Sequence, residues 1–238
     1  RPGWRTAAAA IAWKQAREAA PFCLVGIVLV LGFWFWMLSM QSGEFAEALS
    51  TAGITVAMLA GLLVGIGTFI GELQPRTMDF WRSRPIEPAF WFWTKYVTGL
   101  AATSLFLATP IAASGREGLV MALVFLPWLA IVYSLAVCLT CLVRHSFYAG
   151  VLSFTIALFL FVLSAVHKEW LNVVSYLVVL HRAHNLALGD WLISVYAPYL
   201  AITMFAAASI AFGAWLAVKR DYGSHRLSRI GRALRASH

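Results

Sequence analysis

Charged residues are scarce in this sequence, and they are missing over long continuous stretches. Only 12% of the 238 residues are charged, against about 25% in soluble domains. Six runs of 20 or more residues contain no Asp, Glu, Lys or Arg, and 61% of the chain is hydrophobic. About 20 apolar residues cross a bilayer as a helix, and lipid accepts only helices or closed barrels. The sequence therefore predicts an all-α integral membrane protein with six transmembrane helices in a single domain.

The sequence also lacks the residues that would drive transport from within this chain. The centres of the apolar runs hold no acidic, basic or histidine side chain, whereas proton- and ion-coupled carriers use such groups at membrane depth. A phosphate-binding P-loop needs a Lys followed by Ser or Thr, and none of the lysines has that neighbour. We therefore expect no enzyme activity, no ATPase site and no bound cofactor in this chain itself.

Cysteine is rare, and its positions do not indicate disulfides. Cys23, Cys138 and Cys141 all lie in apolar runs. Cys138 and Cys141 form a CxxC pair, which occurs in thiol oxidoreductases. The alternative is apolar packing, which the predicted cytoplasmic and reducing position favours.

Motifs for metal binding and proteolysis are weak or missing. His181 and His184 share one face if their segment is helical, but zinc would need a third ligand such as His167 or Asp190. Two solvated histidines in an outer loop are the ordinary alternative, and we expect no metal site. HExxH and Gly-x-Ser-x-Gly are missing, which argues against intramembrane proteolysis.

The apolar runs divide the chain into six predicted spans with helical flanks. The spans are assigned to residues 21–40, 48–71, 96–114, 119–143, about 146–166 and a stretch within 191–218. Residues 1–20 are predicted to form an amphipathic helix on the membrane surface, or a solvated helix. An interfacial or re-entrant segment on the outer side is predicted within 167–190, because its apolar run is too short to cross. Residues 219–238 form a basic tail. Pro127 and Pro198 predict kinks in spans four and six.

The distribution of Lys and Arg predicts the orientation of the chain in the membrane. With both termini inside, 15 of the 18 basic residues lie on the inner side of these spans. Cytoplasmic loops carry such an excess. The chain is therefore predicted to be a multi-pass protein of the cell membrane with both termini cytoplasmic. The net charge of +8 is interpreted as this orientation signal, with no nucleic acid as partner.

Small residues recur in the second span. Gly61, Gly65, Gly67 and Gly71 form two pairs at GxxxG spacing, which allows helices to approach closely. Ordinary packing within the chain is one interpretation; a dimer contact or a translocation path is the other.

The stretch between spans two and three carries the densest set of signals in the chain. It holds seven charges, and prolines divide it because proline disrupts a helix interior. Between Pro75 and Pro85 there is room for a short helix of about two turns. Aromatic residues at 90–93 suit the headgroup level. Glu72 and Lys95 lie at the predicted cytoplasmic ends of the two spans, where their charges would reach water or headgroups.

This stretch resembles the signature of ABC type-2 exporter permeases. That pattern has a Glu after the second span, Gly-Thr about five residues on, an aromatic or Leu, a Pro, and a Lys entering the third span. The matching residues here are Glu72, Thr77, Phe80, Pro85 and Lys95. The sequence departs from the pattern at Arg76, where Gly is usual, and at Gln74, where Glu is frequent.

The resemblance implies a transport subunit that works with other chains. Separate cytoplasmic ABC ATPase subunits would hold ATP and Mg, and a second permease subunit, identical or similar, would complete the substrate pathway in the lipid bilayer. The ATPase would be coupled through a short helix that includes Thr77, Asp79, Phe80, Trp81, Arg82, Arg84 and Pro85. The alternatives are an ordinary proline-containing loop and a membrane enzyme or assembly factor that is not driven by ATP.

Overall fold

A computed structural model describes residues 4–39, 45–73, 87–166 and 176–235 of the protein. Within these ranges the regular structure is helical throughout, with no strand. The helices are α1 (Trp4–Ser39), α2 (Phe45–Ile70), α3 (Pro88–Ser104), α4 (Ala108–Ser114), α5 (Arg116–Val143), α6 (Ser146–Val166), α7 (Tyr176–Asn185), α8 (Leu188–Trp191) and α9 (Ala197–Arg235), with a 3₁₀ turn at Leu105–Leu107 and a π-helical turn at Leu192–Tyr196.

Four helical stretches among the described residues are long and apolar enough to cross a membrane. They are Leu49–Ile70, Pro88–Ser114, Arg116–Val143 and Leu188–Arg220. A shorter apolar helical stretch covers Ser146–Leu160. Helical membrane architecture is what a chain this poor in charge requires, because every backbone polar group in lipid must bond within its own segment.

The long helices form a bundle around α5 and alternate in direction. α5 is the most buried of the four apolar stretches. α2, α5 and α9 run one way, while α1, the α3–α4 pair and α6 run the other. We call the end of the bundle where α2 stops at Ile70 and α3 begins at Pro88 the connector end, since residues 74–86 join these helices there.

Two of the four predicted packing glycines lie where α2 crosses α5. A Cβ atom on Gly61 would come within 2.6 Å of Leu129 Cδ1, and one on Gly65 within 2.8 Å of Ala136 Cβ. Gly65 therefore needs glycine, because the Ala136 Cβ and the Tyr133 carbonyl oxygen, at 3.1 Å, cannot rotate away, whereas the end of the Leu129 side chain facing Gly61 can shift. Gly67 is half-buried, and Gly71 is exposed with nothing within 4 Å of an added Cβ.

Proline distorts one helical stretch but does not interrupt two others. α1 continues through Pro21 and α5 through Pro127. The turn Leu192–Tyr196 widens into a π-helix just before Pro198, which has no N–H to donate to the carbonyl four residues earlier. The expected distortion at Pro198 therefore takes the form of a π turn.

Three boundaries differ from those predicted. The amphipathic helix of residues 1–20 is not a separate element, because α1 runs unbroken from Trp4 to Ser39. The third helix begins at Pro88 rather than at residue 96, because Pro suits the first helical turn. The basic tail from residue 219 continues α9 as helix to Arg235.

The segment before the last long helix is also helical. α7 covers Tyr176–Asn185, so His181 and His184 lie on one helix. Residues 167–175 lie outside the described residues. Among the described residues, no group of three or more His, Cys, Asp or Glu side chains is placed to hold a metal ion.

Candidate functional site

The first and last residues of the sequence motif meet inside the bundle. Glu72 Oε2 lies 3.1 Å from Lys95 Nζ, and both side chains are buried, with exposed fractions of 5% and 1%. The expectation that these charges would reach water or headgroups at the span ends is wrong. The reason is the early start of α3, which places Lys95 about two helical turns inside the helix rather than at its end.

α1 completes this ion pair with two further charges. Lys14 Nζ contacts Glu72 Oε1 and lies 3.5 Å from Glu18 Oε1. Lys95 Nζ lies 3.7 Å from Glu18 Oε2. Two cations thus face two anions, which is the arrangement that lets buried charge persist. Lys14 and Glu18 are about one-third exposed, so the network extends from the protein surface to the buried Lys95.

Lys95 also caps the carboxyl end of α2. Its Nζ donates to the Thr68 carbonyl oxygen at 2.6 Å. Helix carboxyl ends carry partial negative charge and carbonyls that lack helical partners, so a lysine there is favourable. The rings of Phe69 and Trp91 lie with their centroids 5.6 and 5.9 Å from Nζ, within cation–π distance.

A chain of neutral hydrogen bonds extends the charged network into the core. Gln15 Nε2 donates to Thr68 Oγ1 at 2.9 Å, and the Thr68 hydroxyl donates to the Val64 carbonyl oxygen at 2.6 Å. With its one proton used, Thr68 Oγ1 accepts from Tyr133, whose hydroxyl lies at 3.2 Å. α1, α2, α3 and α5 are therefore joined at one place. We call Lys14, Gln15, Glu18, Thr68, Glu72, Lys95 and Tyr133 the polar cluster.

One glycine makes room for this cluster. A Cβ atom at Gly99 on α3 would lie 2.2 Å from the Tyr133 hydroxyl oxygen, so a larger residue would displace it. Tyr96 lies beside the cluster and hydrogen-bonds Ser134 at 2.6 Å, with its ring centroid 5.2 Å from that of Tyr133. Aromatic packing and hydrogen bonding together hold Tyr133 in place.

Sequence patterns found only part of the polar cluster. Glu72 and Lys95 were singled out by the motif, but Gln15, Thr68 and Tyr133 were not. Lys14 and Glu18 stand four residues apart, which is the spacing of a helical ion pair. The amphipathic helix predicted for residues 1–20 would place this pair on its exposed polar face, because the sequence does not show which face of α1 packs on the bundle.

All residues of the predicted coupling helix belong to the segment between α2 and α3. Thr77, Asp79, Phe80, Trp81, Arg82, Arg84 and Pro85 lie outside the described residues. Leu73 on one side of this segment is buried, and Glu87 on the other is exposed. The polar cluster thus stands at the end of the bundle to which the segment attaches.

What this cluster offers is electrostatic linkage between helices. Replacing a buried ion pair by apolar residues is often neutral or stabilising, so the burial of this ion pair does not by itself indicate that its role is to stabilise the fold.

Cys138 and Cys141 lie on the same end of α5, partly and fully buried in the apolar core, as expected for packing.

Comparisons with known proteins found no relative of this chain. No protein-family model, no curated protein and no solved structure matches this chain.

Proposed function

We propose that this chain is the transmembrane permease subunit of an ABC exporter. The observation that supports this most is the ion pair between Glu72 and Lys95. The motif carries these residues on either side of residues 74–86, and in the structure they tie the end of α2 to α3. A motion applied to the segment between them would then move both helices together.

In this proposal all six long helices cross the bilayer, and the connector end faces the cytoplasm. The alternating directions of the helices are compatible with six crossings, and the excess of Lys and Arg favours this orientation. Both termini are then cytoplasmic in a multi-pass protein of the cell membrane. Six spans form half of a pathway, so a second permease subunit of the same or similar sequence completes it.

Energy would come from cytoplasmic ABC ATPase subunits that bind ATP and Mg. Their closure would push on residues 75–85, and the polar cluster would pass that displacement to four helices at once. The buried Lys95 is the part that makes the link stiff, because it is bound by Glu72, by Glu18 and by the Thr68 carbonyl. Buried and hydrogen-bonded charges of this kind favour one geometry over its neighbours.

The orientation is tested by labelling single cysteines placed at Ser42 and at Ser224, after Cys23, Cys138 and Cys141 have been replaced by Ala. We expect a membrane-impermeant thiol reagent to label residue 42 only from outside and residue 224 only from the cytoplasm. Labelling of both positions from the cytoplasmic side would refute the six-span arrangement.

The ATPase contact is tested with Phe80→Ala and Arg82→Glu. Aromatic and Arg side chains dominate interface energies, and losing one such anchor costs about 2 kcal/mol, which weakens association about thirtyfold. We expect each variant to lose the ATPase subunit on co-purification while it remains folded and inserted in the membrane. Val97→Ala, on the exposed face of α3, is the matched control and should retain the ATPase.

The same experiment separates the proposal from its rivals. If Phe80 and Trp81 only anchor the segment in lipid headgroups, Arg82→Glu should disturb membrane placement and leave any ATPase bound. If no ATPase subunit co-purifies with the unaltered chain, a membrane enzyme or assembly factor that does not use ATP becomes the better assignment.

A further inference from the structure

An apolar cavity lies at the other side of the bundle from the polar cluster. It measures about 470 Å³, within the range of ligand pockets in proteins, about 300 to 1,000 Å³. It lies between α2, α5 and α6, and Leu180 of α7 lines one side. Apart from Thr51 and Thr55 its lining side chains are hydrophobic, and they include Met58, Met121, Phe125, Trp128, Phe154 and Leu158.

This cavity offers little to a polar ligand. The Thr55 hydroxyl donates to the Thr51 carbonyl oxygen at 2.9 Å, within the same helix, so its proton is already used. Methionine and aromatic side chains adapt to flexible hydrocarbon. A polar molecule placed here would lose its hydrogen bonds to water without replacement, whereas an alkyl chain has no hydrogen bonds to lose.

A second, charged pocket adjoins the cavity. It measures about 170 Å³ and shares Met121 and Leu180 with the cavity. Arg116 and Glu117, the first two residues of α5, line it with one positive and one negative charge. Both side chains are exposed, and neither forms an ion pair with any residue in the described part of the chain. The two pockets together are hydrophobic at one end and carry both signs of charge at the other.

We propose that this composite site binds a single lipid-like amphiphile with a zwitterionic headgroup. Its hydrocarbon chain occupies the cavity, its anionic group is bound by the Arg116 guanidinium, and its cationic group by the Glu117 carboxylate. Guanidinium binds phosphate in a forked geometry, and a carboxylate accepts from an ammonium group. The site concerns binding alone, and it stands whether or not the chain works with an ATPase.

Chain occupancy is tested by photolabelling the full-length protein in vesicles of phosphatidylethanolamine and phosphatidylglycerol. A trace of phosphatidylethanolamine carries a diazirine on its acyl chain, and mass spectrometry locates the labelled residues. We expect labels on the lining of the cavity, at Met58 and Met121. Ala157→Phe fills the cavity and should lower this labelling about tenfold or more, while Ala208→Phe, on the exposed face of α9, should not change it.

Thermal unfolding of each variant verifies the fold, and Thr55→Phe serves as a second filling variant if Ala157→Phe is unstable. Labelling that neither filling variant reduces, or that is as strong at exposed Phe205 as at Met121, would overturn the cavity as the binding site.

Headgroup selection is tested by competition with unlabelled lipid. Phosphatidylethanolamine should displace the probe more effectively than phosphatidylglycerol. Arg116→Gln should weaken the binding of both lipids alike, because both carry the phosphate that Arg116 binds. Glu117→Gln should reduce the advantage of phosphatidylethanolamine about tenfold, the effect of losing one charge-assisted hydrogen bond. Arg182→Gln, exposed on α7 and outside the pocket lining, should leave it unchanged. Equal competition by the two lipids in the unaltered protein would show that the zwitterionic assignment is wrong.

Discussion

Lys95→Met is expected to lower the free energy of unfolding by about 3 kcal/mol, because removing one partner of a buried pair weakens the compensation of the other charge. Glu72→Gln should lower the free energy of unfolding by more than Lys95→Met does. After Lys95→Met, Lys14 still contacts Glu72, whereas after Glu72→Gln the buried Lys95 keeps only Glu18, at 3.7 Å. Reversible unfolding in mixed micelles measures both changes.

The double variant Glu72→Gln/Lys95→Met is the decisive comparison. Since it removes both partners of the pair, it should be more stable than Glu72→Gln alone, and the cycle should show an interaction energy of at least about 1 kcal/mol. Glu87→Gln is the matched control, because Glu87 is exposed just outside α3, and it should change stability by less than about 0.5 kcal/mol. Additive single effects would mean that the two charges are energetically independent.

Gly118→Ala is expected to be the most damaging single methyl addition in the described part of the chain. An ideal Cβ at this position would lie 1.7 Å from the Pro110 carbonyl oxygen and 2.9 Å from the Ile111 nitrogen. These atoms belong to the backbone of α4 and cannot rotate away as a side chain could. Overpacking of this kind costs about 3 kcal/mol or more when the backbone must move. Thermal unfolding should show the loss as a lower melting temperature.

Gly213→Ala is the matched control for this change. Gly213 lies within α9, it is exposed, and an added Cβ would meet nothing within 4 Å. Alanine in a helix is favoured over glycine by about 1 kcal/mol, so this variant should be as stable as the unaltered protein or more so. If the two variants unfold alike, the contact between Gly118 and α4 is not tight.

The motif located part of the polar cluster but gave the wrong environment for it. Glu72 and Lys95 were recognisable by their spacing around a proline-rich segment. Their burial was not, because it depends on α3 beginning at Pro88 and on α1 packing across the ends of α2 and α3. The requirement for glycine at position 99 could not be predicted from the sequence either. Its need for glycine arises from the Tyr133 hydroxyl, which belongs to a residue 34 positions away in the sequence.

The helical, membrane-like character of this chain was determined by the sequence alone. In long runs without charge the backbone can hydrogen-bond only within its own segment, so helices follow from composition. Their bounds do not, because α1, α3 and α9 extend through charged residues. Which helix faces touch was decided only by the tertiary structure. Lys14, Glu18, Glu72 and Lys95 look from the sequence like four separate surface charges. They form one network because α1, the end of α2 and α3 pack their uneven surfaces together at the connector end, and no local pattern specifies that packing.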